Sequence, residues 1–198
     1  MLNTRKIDRD KLYFIGDIHD MHTKCIEFDE RPFDNVEDMH QIMVDNWNKT
    51  VLKDDTVIIV GDLAFNLKDA EQFLKETNGY KYLVLGNHDK WYKGVLRCEN
   101  VLGACDIINV HTDKETIVCC HYPLESWEKM HYGSIHVHGH LHKNDKVLEK
   151  KNRYNCGCMI WEYTPVKIQD MIDKFGYDED FYRFNKENKE DTEDRKDT

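Results

Sequence analysis

The chain has 198 residues, 40% of them hydrophobic, and its formal net charge at pH 7 is −10. This length and composition are typical of one globular domain around a single core. The acidic balance disfavours general binding to duplex nucleic acid, whose phosphates attract basic surfaces. Residues 1–11 lack the apolar segment of a secretory signal, and no apolar stretch approaches the length of a membrane span. We therefore expect a cytoplasmic protein with reduced cysteines and no membrane partner.

In chain order, short apolar runs predict five buried strands with helices between them. The strands are residues 12–15, 57–60, 82–85, 117–120 and 135–137. Apolar side chains at helical spacing predict one helix from Asp34, its N-cap, to residue 51, and another from Asn66, its N-cap, to residue 77. A third helix is predicted over residues 164–176.

The order of these elements predicts the fold class and the domain organisation. Strands that alternate with helices in the first half of the chain indicate a largely parallel, buried sheet. The closer strands of the second half indicate another sheet packed on the first. We therefore predict an α/β fold, a two-sheet β-sandwich flanked by helices, in one domain over residues 1–184. Residues 185–198 contain no apolar side chain and predict a charged, disordered tail.

Each predicted strand is followed by Asp, Asn or His, the residue types that bind metals or perform catalysis. The segments are Gly16-Asp17-Ile18-His19, Gly61-Asp62, Gly86-Asn87-His88-Asp89, His121, and Gly139-His140-Leu141-His142. Ligands collect at the carboxyl ends of strands in open α/β sheets. A mixture of carboxylates and imidazoles is typical of sites for divalent first-row transition metals. The number of these groups exceeds the demand of one ion and fits two ions that share a carboxylate.

This ordered series resembles the signature of the calcineurin-like metallophosphoesterase superfamily, and the flanking segments resemble its small bacterial and phage branch. The flanking segments are residues 31–33, 46–48 and 121–124. The resemblance implies a four-layer αββα sandwich with a dinuclear metal centre. It implies that Asp17, His19 and His142 hold one ion, that Asn87, His121 and His140 hold the other, and that Asp62 bridges both. His88 would bind no metal and would protonate the leaving oxygen, and Asp89 would orient His88.

The implied activity is hydrolysis of a phosphoester by a hydroxide that bridges the two ions. Small phosphodiesters are the expected substrates, with phosphomonoesters or short single-stranded nucleic acid as alternatives. A metal-stabilised scaffold or regulatory protein is the non-enzymatic alternative. Mn²⁺ is expected from the resemblance, although Fe, Zn²⁺, Ni²⁺ and Co²⁺ accept the same ligands. The oligomeric state is not readable from the sequence.

Three further residues are candidates for substrate binding. Arg31 is either a cation that contacts phosphate or a surface arginine, and His22 either reaches the phosphate or packs its loop. Trp127 lies in a segment that forms either a lid over the site or a loop covering the core. Asp20 departs from the family pattern, in which a glycine or an aromatic residue is common at that position. His40 is expected to be a solvated helix residue.

Overall fold

Two β-sheets lie face to face in the computed structural model, which describes residues 1–143 and 152–177. The strands, in chain order, are β1 (Leu2–Lys6), β2 (Leu12–Ile15), β3 (Thr56–Val60), β4 (Tyr80–Val84), β5 (Val101–Cys105), β6 (Ile107–His111), β7 (Thr116–Cys120), β8 (Ile135–His138) and β9 (Arg153–Asn155). One sheet has the order β2-β3-β4-β5 and is parallel throughout. The other has the order β1-β6-β7-β8-β9, and within it only β6 and β7 pair in antiparallel fashion.

Helices connect the strands of the parallel sheet. The α-helices are α1 (Thr23–Phe28), α2 (Val36–Thr50), α3 (Leu67–Glu76), α4 (Tyr92–Val95) and α5 (Ile168–Phe175). Asn35 caps α2 by accepting a hydrogen bond from Asp38 N, and Asn66 caps α3 by accepting one from Asp69 N. Each cap satisfies a backbone N–H that has no partner within the helix, which is why these two helices begin where they do.

The alternation of side chains along β2 divides the interior into two cores. Tyr13 and Ile15 point toward α2 and α3, where Trp47 and Phe73 pack with them in the first core. Leu12 and Phe14 point the other way. They lie in a second core between the two sheets, which contains the following side chains of the five-stranded sheet: Ile108, Val110, Ile117, Cys119, Ile135 and Val137. The apolar contacts between the sheets hold the carboxyl ends of β3 and β7 close together.

The predicted two-sheet α/β architecture is confirmed, and its details differ at several elements. The five predicted strands are present, whereas β1, β5, β6 and β9 were not predicted. Asn35 rather than Asp34 caps α2. Helix α5 begins at Ile168, because Val166 instead pairs with Phe14 in an isolated bridge.

The predicted domain end at residue 184 and the predicted tail over residues 185–198 lie outside the described residues. Within the described residues, no helix combines the length and the apolar character that crossing a membrane requires.

Candidate metal centre

The predicted ligands come together because backbone hydrogen bonding continues past the ends of β2 and β3. Asp17 N donates to Gly61 O at 3.1 Å, and His19 N donates to Asp62 O at 2.9 Å. Beyond β8, Gly139 N donates to His121 O at 3.0 Å and so connects the loop after β8 to the loop after β7. The loops that follow β2, β3, β7 and β8 therefore meet at one edge of the two sheets, as the sequence predicted.

One group of ligand atoms comes from Asp17, His19 and His142, and these atoms lie within 4.8 Å of one another. Asp17 and His19 are buried, with 0% and 4% of their surface exposed. Asp17 Oδ2 and both ring nitrogens of His19 have no hydrogen-bond partner among the described residues. A buried polar atom without a partner costs folding free energy. A cation bound by Asp17 Oδ2 and by the His19 ring nitrogen that presents a lone pair would satisfy both of these atoms.

A neighbouring group of ligand atoms surrounds His121. His121 Nδ1 lies 3.1 Å from the carbonyl oxygen of Val60, which only accepts, so Nδ1 carries the ring proton and Nε2 presents a lone pair. This Nε2 lies 3.2 Å from Asn87 Oδ1, 3.2 Å from His140 Nδ1 and 3.5 Å from Asp62 Oδ2. An amide oxygen and a carboxylate oxygen also present lone pairs, so a cation is the group that satisfies this arrangement.

Asp62 lies between the two groups. Its Oδ2 atom is 3.7 Å from His19 Nε2 and 3.5 Å from His121 Nε2, so it approaches a ligand from each predicted ion site. Asp17 also belongs to both groups, since Asp17, Asp62 and His121 offer ligand atoms within 4.8 Å of one another. Asp17, as well as Asp62, therefore lies where the two proposed ion sites could share its carboxylate.

Five of the seven predicted ligands have left-handed backbone conformations. The residues and their φ angles are Asp17 (53°), His19 (50°), Asp62 (54°), His140 (68°) and His142 (50°). This conformation costs a residue with a Cβ about 1–2 kcal/mol. Strained residues cluster where a function requires side chains to converge, and here the strain turns successive side chains toward the same cavity.

Two glycines let the loops approach closely enough for this convergence. Gly61 has a φ of 84°, and a Cβ at this position would lie 2.2 Å from His121 Nδ1. A Cβ on Gly86 would lie 2.2 Å from Asp62 Oδ1. A side chain at either position would therefore displace a predicted ligand.

Burial sets the protonation of the ligand side chains in the metal-free protein. It raises the pKa of the Asp17 carboxyl to about 6. Burial, together with the positive charge of Arg31, lowers the pKa of His19 to about 2. Burial also lowers the pKa of His140, whereas a hydrogen bond to Asp29 raises the pKa of His142. His19 is therefore neutral near pH 7, the form in which an imidazole binds a metal.

Comparison with known proteins identifies the fold family. Residues 11–163 match the calcineurin-like phosphoesterase family. The chain belongs to this family. Membership implies metal-dependent hydrolysis of phosphoesters, and it explains why the polar loops converge at the strand ends. The predicted resemblance is thereby confirmed.

Similar proteins come from an archaeon, a phage and a bacterium. The chain is 31% identical over 172 residues to the uncharacterized protein MJ1445 of Methanocaldococcus jannaschii, which covers 83% of this chain and 90% of that protein. It is 24% identical over 159 residues to the gene 66 protein of Mycobacterium phage L5, covering 66% of this chain and 76% of that protein. The crystal structure of AQ665, a protein of unknown function from Aquifex aeolicus, shares the fold with a TM-score of 0.67 and 22% identity, over 82% of this chain and 97% of that one.

His88 lies beside the predicted ligands, and Asp89 does not contact its ring. His88 Nε2 is 4.0 Å from Asp62 Oδ2, and the side chain is 37% exposed. The carboxylate of Asp89 is buried and accepts hydrogen bonds from Asp62 N at 2.7 Å, Leu63 N at 3.0 Å and Gly86 N at 2.9 Å. The predicted role of Asp89 is therefore corrected, because its carboxylate oxygens fix the backbone of two metal-site loops.

One of the three substrate-binding candidates, Arg31, is corrected by its burial. The Arg31 side chain is 0% exposed and its guanidinium donates to backbone carbonyls, so it cannot contact a substrate. Trp127 donates to Ser134 O at 3.1 Å and packs near His136, within its own loop and the adjacent strand. His22 remains beside the site, with its ring stacked on Phe65 at a centroid distance of 3.9 Å.

The structure adds residues that the sequence patterns did not indicate. Asp29 Oδ2 lies 2.8 Å from His142 Nδ1. Two exposed aromatic side chains lie beside the site: Phe65 packs 4.3 Å from the ring of His88, and Tyr122 packs 4.6 Å from the ring of His140. No motif marks Asp29 or Phe65, because each acts through a contact made in the folded chain, and Tyr122 lies in a flanking segment whose role the sequence did not indicate.

Asp20, which departs from the family pattern, points away from the ligands. Its carboxylate oxygens lie 2.9 and 3.0 Å from His40 Nδ1, and His40 Nε2 lies 2.8 Å from Glu76 Oε2. These hydrogen bonds raise the pKa of His40 to about 9, so the ring is an imidazolium held between two carboxylates. The expectation that His40 is solvated is wrong, since only 7% of its surface is exposed.

Proposed function

We propose that this protein is a phosphodiesterase for small substrates, with two divalent ions held at the converging loops. Asp17, His19 and His142 would hold one ion, and Asn87, His121 and His140 the other, with Asp62 between them. The observation that carries the proposal is that buried ligand atoms lack partners among the described residues: Asp17 Oδ2, and the His19 ring, one of whose two unpartnered nitrogens presents a lone pair in the neutral form. Mn²⁺ is the proposed metal, in keeping with the mixed oxygen and nitrogen ligands.

The ions, when bound, would activate water and neutralise charge on the phosphoryl oxygens. The protein supplies the other elements of the reaction. His88 would protonate the leaving oxygen, because its ring lies at the edge of the ligand cluster and is partly open to solvent. Asp89 would keep Asp62 and the Gly86 loop in register while the substrate binds.

The preference for a diester rests on the apolar surface beside the site, because a diester carries a second organic group that such a surface can contact. The proton donor assists departure of an alkoxide from a monoester and from a diester alike. The exposed rings of Phe65 and Tyr122 offer apolar surface to the ester groups of such a substrate. The net charge of −10 disfavours long nucleic acids as substrates.

The test compares two chromogenic substrates, bis-p-nitrophenyl phosphate and p-nitrophenyl phosphate, with metal-free protein and with added Mn²⁺. We expect Mn²⁺-dependent turnover that is faster for the diester. His88→Ala should lower turnover of a diester with an alkoxide leaving group by about 10²–10⁴-fold, and that of the p-nitrophenyl diester by less, because p-nitrophenolate departs without a proton. Metal stoichiometry should remain the same, because His88 is not a proposed ligand.

His111→Ala is a matched control, since His111 pairs with Thr116 at the start of β7, at the opposite end of that strand from the site. This variant should keep wild-type turnover. Faster turnover of the monoester would indicate a phosphomonoesterase instead of a phosphodiesterase. Protein that binds two ions and hydrolyses neither ester, nor short oligonucleotides, would indicate a scaffold and refute the proposal.

A further inference from the structure

One carboxylate oxygen links two of the loops that form the metal centre. Asp29 Oδ2 accepts hydrogen bonds from His142 Nδ1 at 2.8 Å, from Arg31 Nη2 at 3.2 Å and from Arg31 Nε at 3.3 Å. Only 14% of the Asp29 side chain is exposed. We call these two residues the Asp29–Arg31 clasp.

The guanidinium of the clasp continues the connection into the loop that follows β2. Arg31 Nη1 donates to Ile18 O at 2.7 Å, and Arg31 Nη2 donates to Asp17 O at 2.9 Å. The planar guanidinium thus holds a backbone segment that carries two proposed ligands, Asp17 and His19. Through Asp29 it also reaches His142, which lies 113 residues further along the chain than Asp29.

The clasp determines how His142 presents its ring. A carboxylate only accepts, so His142 Nδ1 carries a proton and Nε2 is free to offer its lone pair to a metal. Carboxylate partners of this kind orient a metal-binding imidazole and increase its basicity.

The other proposed ion site has a different kind of support. His121 Nδ1 donates to the carbonyl of Val60, and His140 Nδ1 faces His121 Nε2. Neither contact involves a carboxylate. Within the described residues the clasp contacts a side-chain ligand of the first site directly, His142, and it reaches the second site only through the backbone of Asp17, which lies near both sites.

We propose that Asp29 and Arg31 are positioning residues that set the affinity of a single ion, the one bound by Asp17, His19 and His142. This inference rests on the proposed dinuclear site. It extends that proposal by assigning the two ions different affinities and by naming the residues responsible.

The experiment is a calorimetric titration of metal-free, full-length protein with Mn²⁺. Wild type should bind two ions. Asp29→Ala should weaken one of them by about 10- to 100-fold and leave the other unchanged. Asp29→Asn, which keeps an acceptor for His142 but loses the charge, should restore part of the affinity. Glu27→Gln is the matched control, because Glu27 lies two residues before Asp29 and is exposed.

Two further results separate the clasp from a general effect on folding. Urea unfolding in chelator should show that the Asp29→Ala protein is folded under the titration conditions. If it is not folded, the metal affinities of Asp29→Asn are compared with those of wild type instead. Arg31→Lys, which retains the charge and loses the planar donor pattern, should weaken the same ion.

The clasp inference would be overturned by variants at Asp29 that bind both ions as wild type does, or that weaken both equally. Uptake of a single ion by the wild-type protein would instead refute the dinuclear proposal. In that case the clasp is supported if Asp29→Ala weakens this one ion, and it is overturned if the affinity is unchanged.

Discussion

Replacing Asp17 by asparagine should make the metal-free protein more stable and its metal binding weaker. Asp17 is fully buried, and burial raises the pKa of its carboxyl from 3.8 to about 6. The ionised carboxylate is thus less favourable in the folded protein than in the unfolded chain. A shift of about two pKa units corresponds to about 3 kcal/mol at pH values above 6. Asparagine keeps the acceptor that takes the hydrogen bond from His140 N and removes the charge.

The sign of the effect defines a pH window. The pKa of Asp17 is raised on folding. The protonated carboxyl therefore contributes to the unfolding free energy below pH 3.8, and this contribution is lost as the pH rises through about 6. In chelator, Asp17→Asn should therefore exceed wild type in unfolding free energy by up to about 3 kcal/mol near neutral pH. The difference should shrink as the pH falls from about 6 and disappear below pH 3.8, where the carboxyl is protonated in both the folded and the unfolded protein.

Urea unfolding of both proteins, in chelator and in Mn²⁺, measures these differences. Saturating Mn²⁺ at about 100 times its dissociation constant would add about 3 kcal/mol to the wild type, and less to a variant with a weakened site. Asp10→Asn, at an exposed carboxylate, is the control and should change neither quantity. A variant less stable than wild type in chelator near neutral pH, or a difference independent of pH, would show that burial of this charge is not costly.

Three other substitutions test neighbouring features. Asp89→Asn should lower the unfolding free energy by about 2–3 kcal/mol and reduce turnover, because both carboxylate oxygens accept from backbone N–H groups and the amide nitrogen of asparagine cannot accept. Unchanged urea unfolding would contradict this. His40→Gln should have a lower unfolding free energy than wild type below about pH 6.5. The difference, measured in chelator, should narrow as the pH rises through 9, because the pKa of His40 in the folded protein is about 9 and its stabilising charge is lost above that pH. A difference in unfolding free energy that does not depend on pH would be inconsistent with an imidazolium. Phe65→Ala should slow hydrolysis of an alkyl ester more than that of a p-nitrophenyl ester. The ring of His88 would lose its packing partner, and only the alkoxide, which is the poorer leaving group, requires a proton. Equal effects on both esters would argue against a role of Phe65 in positioning His88.

The elements that could be predicted are those whose signal is local. The apolar runs of β2, β3, β4, β7 and β8 are buried on both faces, and such strands are recognisable without knowledge of their neighbours. Strand β1 was missed because an edge strand is free to carry polar residues, and Asn3, Thr4 and Arg5 conceal it. Strand β9 has only three residues, and its start at Arg153 resembles a polar loop.

The amino-acid sequence by itself determined which side chains meet at the candidate site, because parallel strands deliver the residues at their carboxyl ends to one edge. It determined the family for the same reason, since the order of the motifs reflects the order of the strands. Only the tertiary structure decided what each side chain does there. Arg31 and Asp89 carry the charges expected of functional residues, yet both side chains form hydrogen bonds with backbone groups. Asp29 acquires its role from a contact with His142, 113 residues away, which no local pattern encodes.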